Sequence, residues 1–183
     1  RKAINVLHEE FFETTYKQIH LFIAGTGNVG SKLLGQLQQQ QSWLAEHLRL
    51  HVKVVGLANS RKMIIDDSGI DFNHWQEKLQ AGESANINDF INIIIGKNLS
   101  NTIFIDVTAS DTVAGIYDEL LQKSVSVVAC NKGAASSSYT YYKRLKDLAR
   151  EFNCQYLFET NVGAALPVIG TLNDLMRSGD KVN

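Results

Sequence analysis

The stretch Gly25-Thr26-Gly27-Asn28-Val29-Gly30 follows an apolar run, Ile19 to Gly25, with no residue between them, and opens onto a segment whose Val29, Leu33, Leu34 and Leu37 recur at helical spacing. A strand, a glycine turn and a helix in immediate succession leave few architectures open. The first glycine permits a tight turn, the second keeps side-chain bulk away from a pyrophosphate, and the third lets helix and strand approach closely. The free amides and the positive end of the helix then face an anion. The pattern points to a dinucleotide; glycines that merely shape a turn are the alternative.

The remaining chain repeats the strand-to-helix alternation. Strands are expected at Leu50 to Ser60, Thr102 to Val107, Ser126 to Cys130 and Gln155 to Phe158. Helices are expected at Asn88 to Gly96, at Thr112 to Leu121, in a segment capped among Ser136 to Ser138, and in a last one with Pro167 near its first turn and Gly179 near its end. From Arg61 onward the pattern is less regular, with a turn at Asp66 to Gly69 and with Phe72, Trp75 and Leu79 near helical spacing. Such alternation implies an α/β, Rossmann-like fold: a largely parallel sheet with right-handed crossovers and helices on both faces. Residues 1–18 read as a linker, helix-like at first and ending in a polar break, and residues 19–183 as the nucleotide-binding domain.

Composition narrows the partners. Eighteen basic and 19 acidic residues give a formal charge of -1, so no global attraction draws the chain to nucleic acid. No apolar run approaches a membrane span and no leader is evident, which makes a cytoplasmic protein the expectation. Cys130 and Cys154 sit at the ends of apolar runs and read as core thiols. The histidines at 8, 20, 47, 51 and 74 lack zinc-ligand spacing, and neither a nucleophile elbow nor a Walker A lysine is present.

Candidate site residues cluster at the carboxyl ends of the expected strands, where ligands of such sheets bind. The second strand ends Ala58-Asn59-Ser60 with no carboxylate for a ribose hydroxyl, and Arg61 and Lys62 follow. This favours NADP over NAD, since a guanidinium makes charge-assisted contacts with the extra phosphate; charges lying on the surface are the alternative. Thr108, Ala109 and Ser110 either line the nicotinamide ribose or cap the next helix, and Asp106 is as well explained by a structural hydrogen bond as by chemistry. Lys132 is either a donor to a substrate oxygen or an ordinary exposed lysine, with Asn131 orienting it or closing a turn. Glu159 precedes turn carbonyls able to ligate a hard cation, unless the segment is a plain glycine turn.

GTGNVG, VTAS, VVACNKGAASSS and FETNVGAALPVIGTLNDLMRSGD resemble, in that order, successive landmarks of homoserine dehydrogenases, from about Ile19 to Val182. QQQQSWL and LANSRK are similar to the dehydrogenase part of bifunctional aspartokinase/homoserine dehydrogenases. The resemblance implies NADP-dependent interconversion of L-aspartate 4-semialdehyde and L-homoserine, with NAD as the alternative cofactor. Gly25, Thr26, Gly27, Asn28, Val29 and Gly30 embrace the cofactor. Ala58, Arg61 and Lys62 lie at its adenosine end, and Thr108, Ala109, Ser110 and Lys132 toward the nicotinamide, with Lys132 catalytic. It further implies that Glu159 borders the substrate entrance and, with Val162, Ala164 and Leu166, binds a monovalent cation, sodium. A homo-oligomeric parent is implied, continued by a catalytic and dimerisation region, so that this portion alone lacks turnover. Two departures stand out: Gly133 follows the lysine where the family has a bulkier residue, implying a looser loop, and Ala165 replaces a common glycine, where its methyl either crowds the site or is accommodated. A dinucleotide-sensing module without catalysis and a different NADP-dependent dehydrogenase are the competing readings.

Overall fold

Alternate residues of β1 (Lys17–Ala24) point to opposite faces of a sheet, and both faces are buried: Leu21 and Ile23 in one cluster, Phe22 and Ala24 in the other. Double coverage is why this strand reads as an unbroken apolar run. In this computed structural model, which describes residues 16–163 and 166–179, the strand begins at Lys17, two residues before the expected start. Its polar first residues need only backbone partners, and Lys17 pairs with Leu50. The helix-like reading of the first residues lies outside the described ones.

From β1 the chain passes through α1 (Asn28–Leu48) to β2 (Leu50–Ala58), which pairs parallel with β1. An Asn59 to Lys62 turn then reverses it into β3 (Lys62–Ile65), antiparallel to β2. After α2 (Trp75–Gln80) a two-residue strand, β4 (Glu83–Ser84), adds antiparallel to β3. This antiparallel edge occupies part of the stretch that shows no regular pattern in sequence. The helix α3 (Ile87–Lys97) crosses back to β5 (Thr102–Asp106), which lies parallel on the other side of β1.

The helix expected at Thr112 to Leu121 is two: α4 (Asp111–Ala114) and α5 (Tyr117–Leu121), parted by Gly115 and Ile116. Then come β6 (Ser126–Ala129), α6 (Tyr139–Glu151), whose cap is Ser138, and β7 (Tyr156–Leu157). A 3-10 turn (Glu159–Asn161) leads to α7 (Val168–Arg177), with Pro167 at its start, directly before the first helical residue.

The strand order is β4-β3-β2-β1-β5-β6-β7, with all pairings from β2 to β7 parallel. Leu34 of α1 and Leu79 of α2 pack in the cluster on one face; α3, α4, α5 and α6 contribute Phe90, Val113, Tyr117 and Leu145 to the other. The winding therefore reverses between β1 and β5, which opens a crevice at their carboxyl ends. Cys154 is buried, with its thiol donating to Leu121 O at 3.5 Å, and Cys130 is half-buried; neither is in a disulfide. Among the described residues no helix is long and apolar enough to cross a membrane.

Candidate functional site

The crevice at the reversal holds about 560 Å³ and is walled by Ala24 and Gly25 at the end of β1, Ala58 to Ser60 at the end of β2, and Thr108 to Ser110 after β5. The glycine turn enters its lining through Gly25. Gly25 has φ +103°, and a Cβ there would stand 2.9 Å from the Val107 carbonyl carbon. Its N–H donates to Ala58 O at 2.8 Å, tying the turn to β2. A Cβ on Gly30 would stand 2.1 Å from Gly25 O, so α1 approaches the turn as only glycine allows. A Cβ on Gly27 would meet nothing within 4 Å: no neighbour in the chain requires glycine there, and the space it leaves is open.

Gly27 is also the cap residue of α1, yet no side chain bonds the helix start and its first turn holds no acid. The amides of Asn28, Val29 and Gly30 precede the first helical hydrogen bond, from Ser31 N to Gly27 O. Thr26 is half-buried beside them, while Asn28 and Val29 are exposed. A pyrophosphate fits this cradle, because the open amides and the helix dipole both favour an anion.

At the end of β2, Asn59 Oδ1 accepts the Arg61 and Lys62 amides at 2.8 and 2.7 Å, fixing the turn. Arg61 is exposed on it, and its guanidinium has no ion pair among the described residues. Lys62 differs: its ammonium donates to Gly82 O at 2.8 Å, tying β3 to the start of β4. The two cations that look alike in sequence thus part company. The far wall of the crevice, Ala85, Asn86 and Ile87, was not anticipated. Asn86 caps α3, accepting from the Asn88 and Asp89 amides, and an Asn ahead of an apolar run was the available signal.

Between β5 and β6 lies a polar hub. Asp106 is fully buried, and it accepts Thr108 N at 2.7 Å, Tyr117 Oη at 2.5 Å and Asn131 Nδ2 at 3.0 Å. Burial, reinforced by the Asp106 charge, raises the Tyr117 phenol well above its ordinary pKa and keeps it a donor. Thr108 Oγ1 accepts Ser110 N at 3.1 Å, and Ser110 Oγ accepts Val113 N at 3.4 Å at the start of α4. Both side chains thus order the loop while lining the crevice, and Ala109 lies exposed between them. Lys132 follows Asn131 and is exposed, its ammonium unpaired among the described residues.

Glu159 is half-buried, with both oxygens engaged: Oε1 accepts Ile169 N at 2.9 Å and Oε2 accepts Gly170 N at 2.7 Å. It is the cap of α7, which Pro167 cannot cap by side chain. Val162 and Leu166 are exposed, and Leu166 O accepts Val168 N at 2.9 Å. Ala164 and Ala165 lie outside the described residues. Among those described, no group of three His, Cys, Asp or Glu side chains could hold a metal.

Residues 25–159 match the family model for the homoserine dehydrogenase NAD-binding domain. The chain is 34% identical to the chloroplastic bifunctional aspartokinase/homoserine dehydrogenase 2 of Arabidopsis thaliana, over 99% of this chain and 20% of that protein. With the chloroplastic bifunctional enzyme 1 of Zea mays it shares 36% identity, again over 99% of this chain and 20% of the relative. It therefore spans about one-fifth of the length of these curated relatives. Among solved structures, a hyperthermophilic archaeal homoserine dehydrogenase in complex with NADPH aligns with TM-score 0.69 and 25% identity, covering 85% of this chain and 48% of that one.

Proposed function

The chain belongs to the homoserine dehydrogenase family as its nicotinamide-dinucleotide-binding domain, and from that premise we propose that it serves an NADP-dependent enzyme interconverting L-aspartate 4-semialdehyde and L-homoserine, within a protein that also carries aspartate kinase. The observation that carries this reading is the uncapped start of α1 over Gly25 and Gly30.

The nicotinamide supplies or accepts a hydride; the protein has to hold it, aim it and manage charge. Gly25, whose own amide ties the turn to β2, and Thr26, Gly27, Asn28, Val29 and Gly30 hold the pyrophosphate, with the open amides of Asn28, Val29 and Gly30 facing it. Arg61 takes the 2′-phosphate, and Ala58 lies beneath the adenosine end. Lys62, committed to Gly82, acts there by fixing the hairpin that carries Arg61. Thr108, Ala109 and Ser110 support the nicotinamide ribose. Lys132 donates to the substrate carbonyl oxygen and stabilises the negative charge that develops there as hydride arrives at carbon. We assign Glu159 to the mouth of the substrate site as the anchor of α7, and sodium to Glu159, Val162, Ala164 and Leu166, largely through their backbone oxygens.

Calorimetric titration with NADPH and NADH tests the reading. We expect NADPH to bind more tightly. Arg61→Ala should weaken NADPH by roughly 10- to 100-fold, the loss of charge-assisted hydrogen bonds, and leave NADH within about threefold. Equal loss for both cofactors would remove Arg61 from its role, and a folded protein that takes up neither would overturn the assignment.

A further inference from the structure

Asn131 is 5% exposed and uses its whole side chain. Nδ2 donates to Asp106 Oδ2 at 3.0 Å and to Ser110 O at 2.9 Å, and Oδ1 accepts Gly133 N at 2.9 Å. Its own carbonyl accepts Asn161 Nδ2 at 3.3 Å. The buried side-chain amide thus joins the loop after β5 to the loop after β6, and the main-chain carbonyl of the same residue holds the turn after β7. Lys132 is the residue between Asn131 and Gly133, spanned by that last side-chain bond.

Gly133 completes the arrangement. A Cβ there would stand 3.0 Å from Ala114 Cβ and 3.1 Å from Asp111 Oδ1. The glycine lets the loop seat closely against α4. Asp106 gives Asn131 a fixed acceptor, and Tyr117 and Thr108 hold that acceptor from the other sides.

We propose that Asn131, anchored by Asp106, is the positioning residue of the site: it fixes the loop that carries Lys132 and couples that loop to Thr108–Ser110 on the wall of the crevice. The role of Lys132 rests on the function proposed above; the anchoring and coupling rest on the hydrogen bonds. Cofactor that seats against Thr108–Ser110 is felt at Lys132 through the Ser110 carbonyl and the Asn131 amide. The Lys132 side chain is thereby placed in step with cofactor binding, while its main-chain carbonyl accepts Ser136 N at 2.9 Å and Ser136 Oγ at 2.8 Å at the far end of the loop.

Amide NMR of the whole chain titrated with NADP+ tests this. In the wild-type protein the amides of Thr108, Ser110, Lys132 and Gly133 should shift together with one midpoint. In Asn131→Ala the first two should still respond and the last two should stop, a separation that simple loss of stability does not produce. Lys132 and Gly133 amides that still follow NADP+ in Asn131→Ala would overturn the proposal. Hydrogen exchange at the Gly133 amide gives a second arm without cofactor. Exchange should quicken about tenfold in Asn131→Ala, the scale of one lost hydrogen bond. Equal exchange in wild type and Asn131→Ala would also overturn it. Silence of residues 25–30 and 108–110 toward NADP+ counts against the cofactor assignment instead, leaving the exchange arm to decide the anchoring.

Discussion

A methyl group added at Gly27 and one added at Gly30 differ only in what they meet. At Gly30 it would stand 2.1 Å from a backbone oxygen, so Gly30→Ala must push α1 off the turn, and thermal denaturation should show a loss of about 1–3 kcal/mol. At Gly27 it meets open space, so Gly27→Ala should leave the melting temperature nearly unchanged yet weaken dinucleotide binding, because the methyl occupies the approach to the amides. A comparable contrast separates two buried tyrosines. Tyr117→Phe deprives a fully buried carboxylate of a donor and should cost about 1–3 kcal/mol in urea unfolding, whereas the Tyr156 hydroxyl is buried with no hydrogen-bond partner among the described residues, so Tyr156→Phe should be neutral or stabilising. Burial also pushes the Tyr141 phenol up to about 12 from 10.0. A pKa raised in the folded state adds stability below the unfolded value and loses it as pH rises through the folded value. Melting temperatures should therefore fall between about pH 10 and pH 12, and less steeply in Tyr141→Phe.

What could be read ahead of the structure follows from how each element is stabilised. β1, β2, β5 and β6 declare themselves because their burial is written as apolar runs. β3 and β4 do not: they are short, lie at the edge, and owe their pairing to the Asn59 turn and to Lys62 reaching Gly82 O across 20 residues. The break between α4 and α5 was hidden too, since Gly115 retains right-handed helical angles and Ile116 departs from them. Within the site, the glycine turn and the loops at 108–110 and 131–133 were legible as motifs. The Asp106–Asn131 bond was not, because strand order alone brings those side chains together. Glu159 was legible as important but not as a cap, since its partners, Ile169 and Gly170, lie beyond the intervening turn. It carries an element-scale prediction. Glu159→Ala removes the acceptor and the charge that face the start of α7, each worth about 1 kcal/mol or less. Hydrogen exchange in α7 should then quicken several-fold while α6 is unchanged, and Glu159→Gln, which keeps an acceptor, should fall between.

Stability across the molecule should be graded from the inside of the sheet outward. β1 is covered on both faces and lies between β2 and β5, whereas α7 has no buried residue and presents Leu172, Leu175 and Met176 to solvent. Amide exchange should accordingly be slowest in β1 and β5 and fastest in α7. With a formal charge of -1, the whole-molecule field does little to gather an anionic cofactor, so affinity depends on local contacts at the reversal between β1 and β5. Those contacts stabilise the strands whose ends they join. A ligand held at about 100 times its Kd adds roughly 2.7 kcal/mol to the folded state, which for a chain of this size corresponds to a rise in Tm of roughly 5–11 °C. NADPH should produce that rise and slow exchange in β1, β2 and β5 together, with little effect on α7, because the crevice is built from the central strands and the last helix stands apart from them. Protection confined to α7 would mean that the dinucleotide binds somewhere other than the glycine turn.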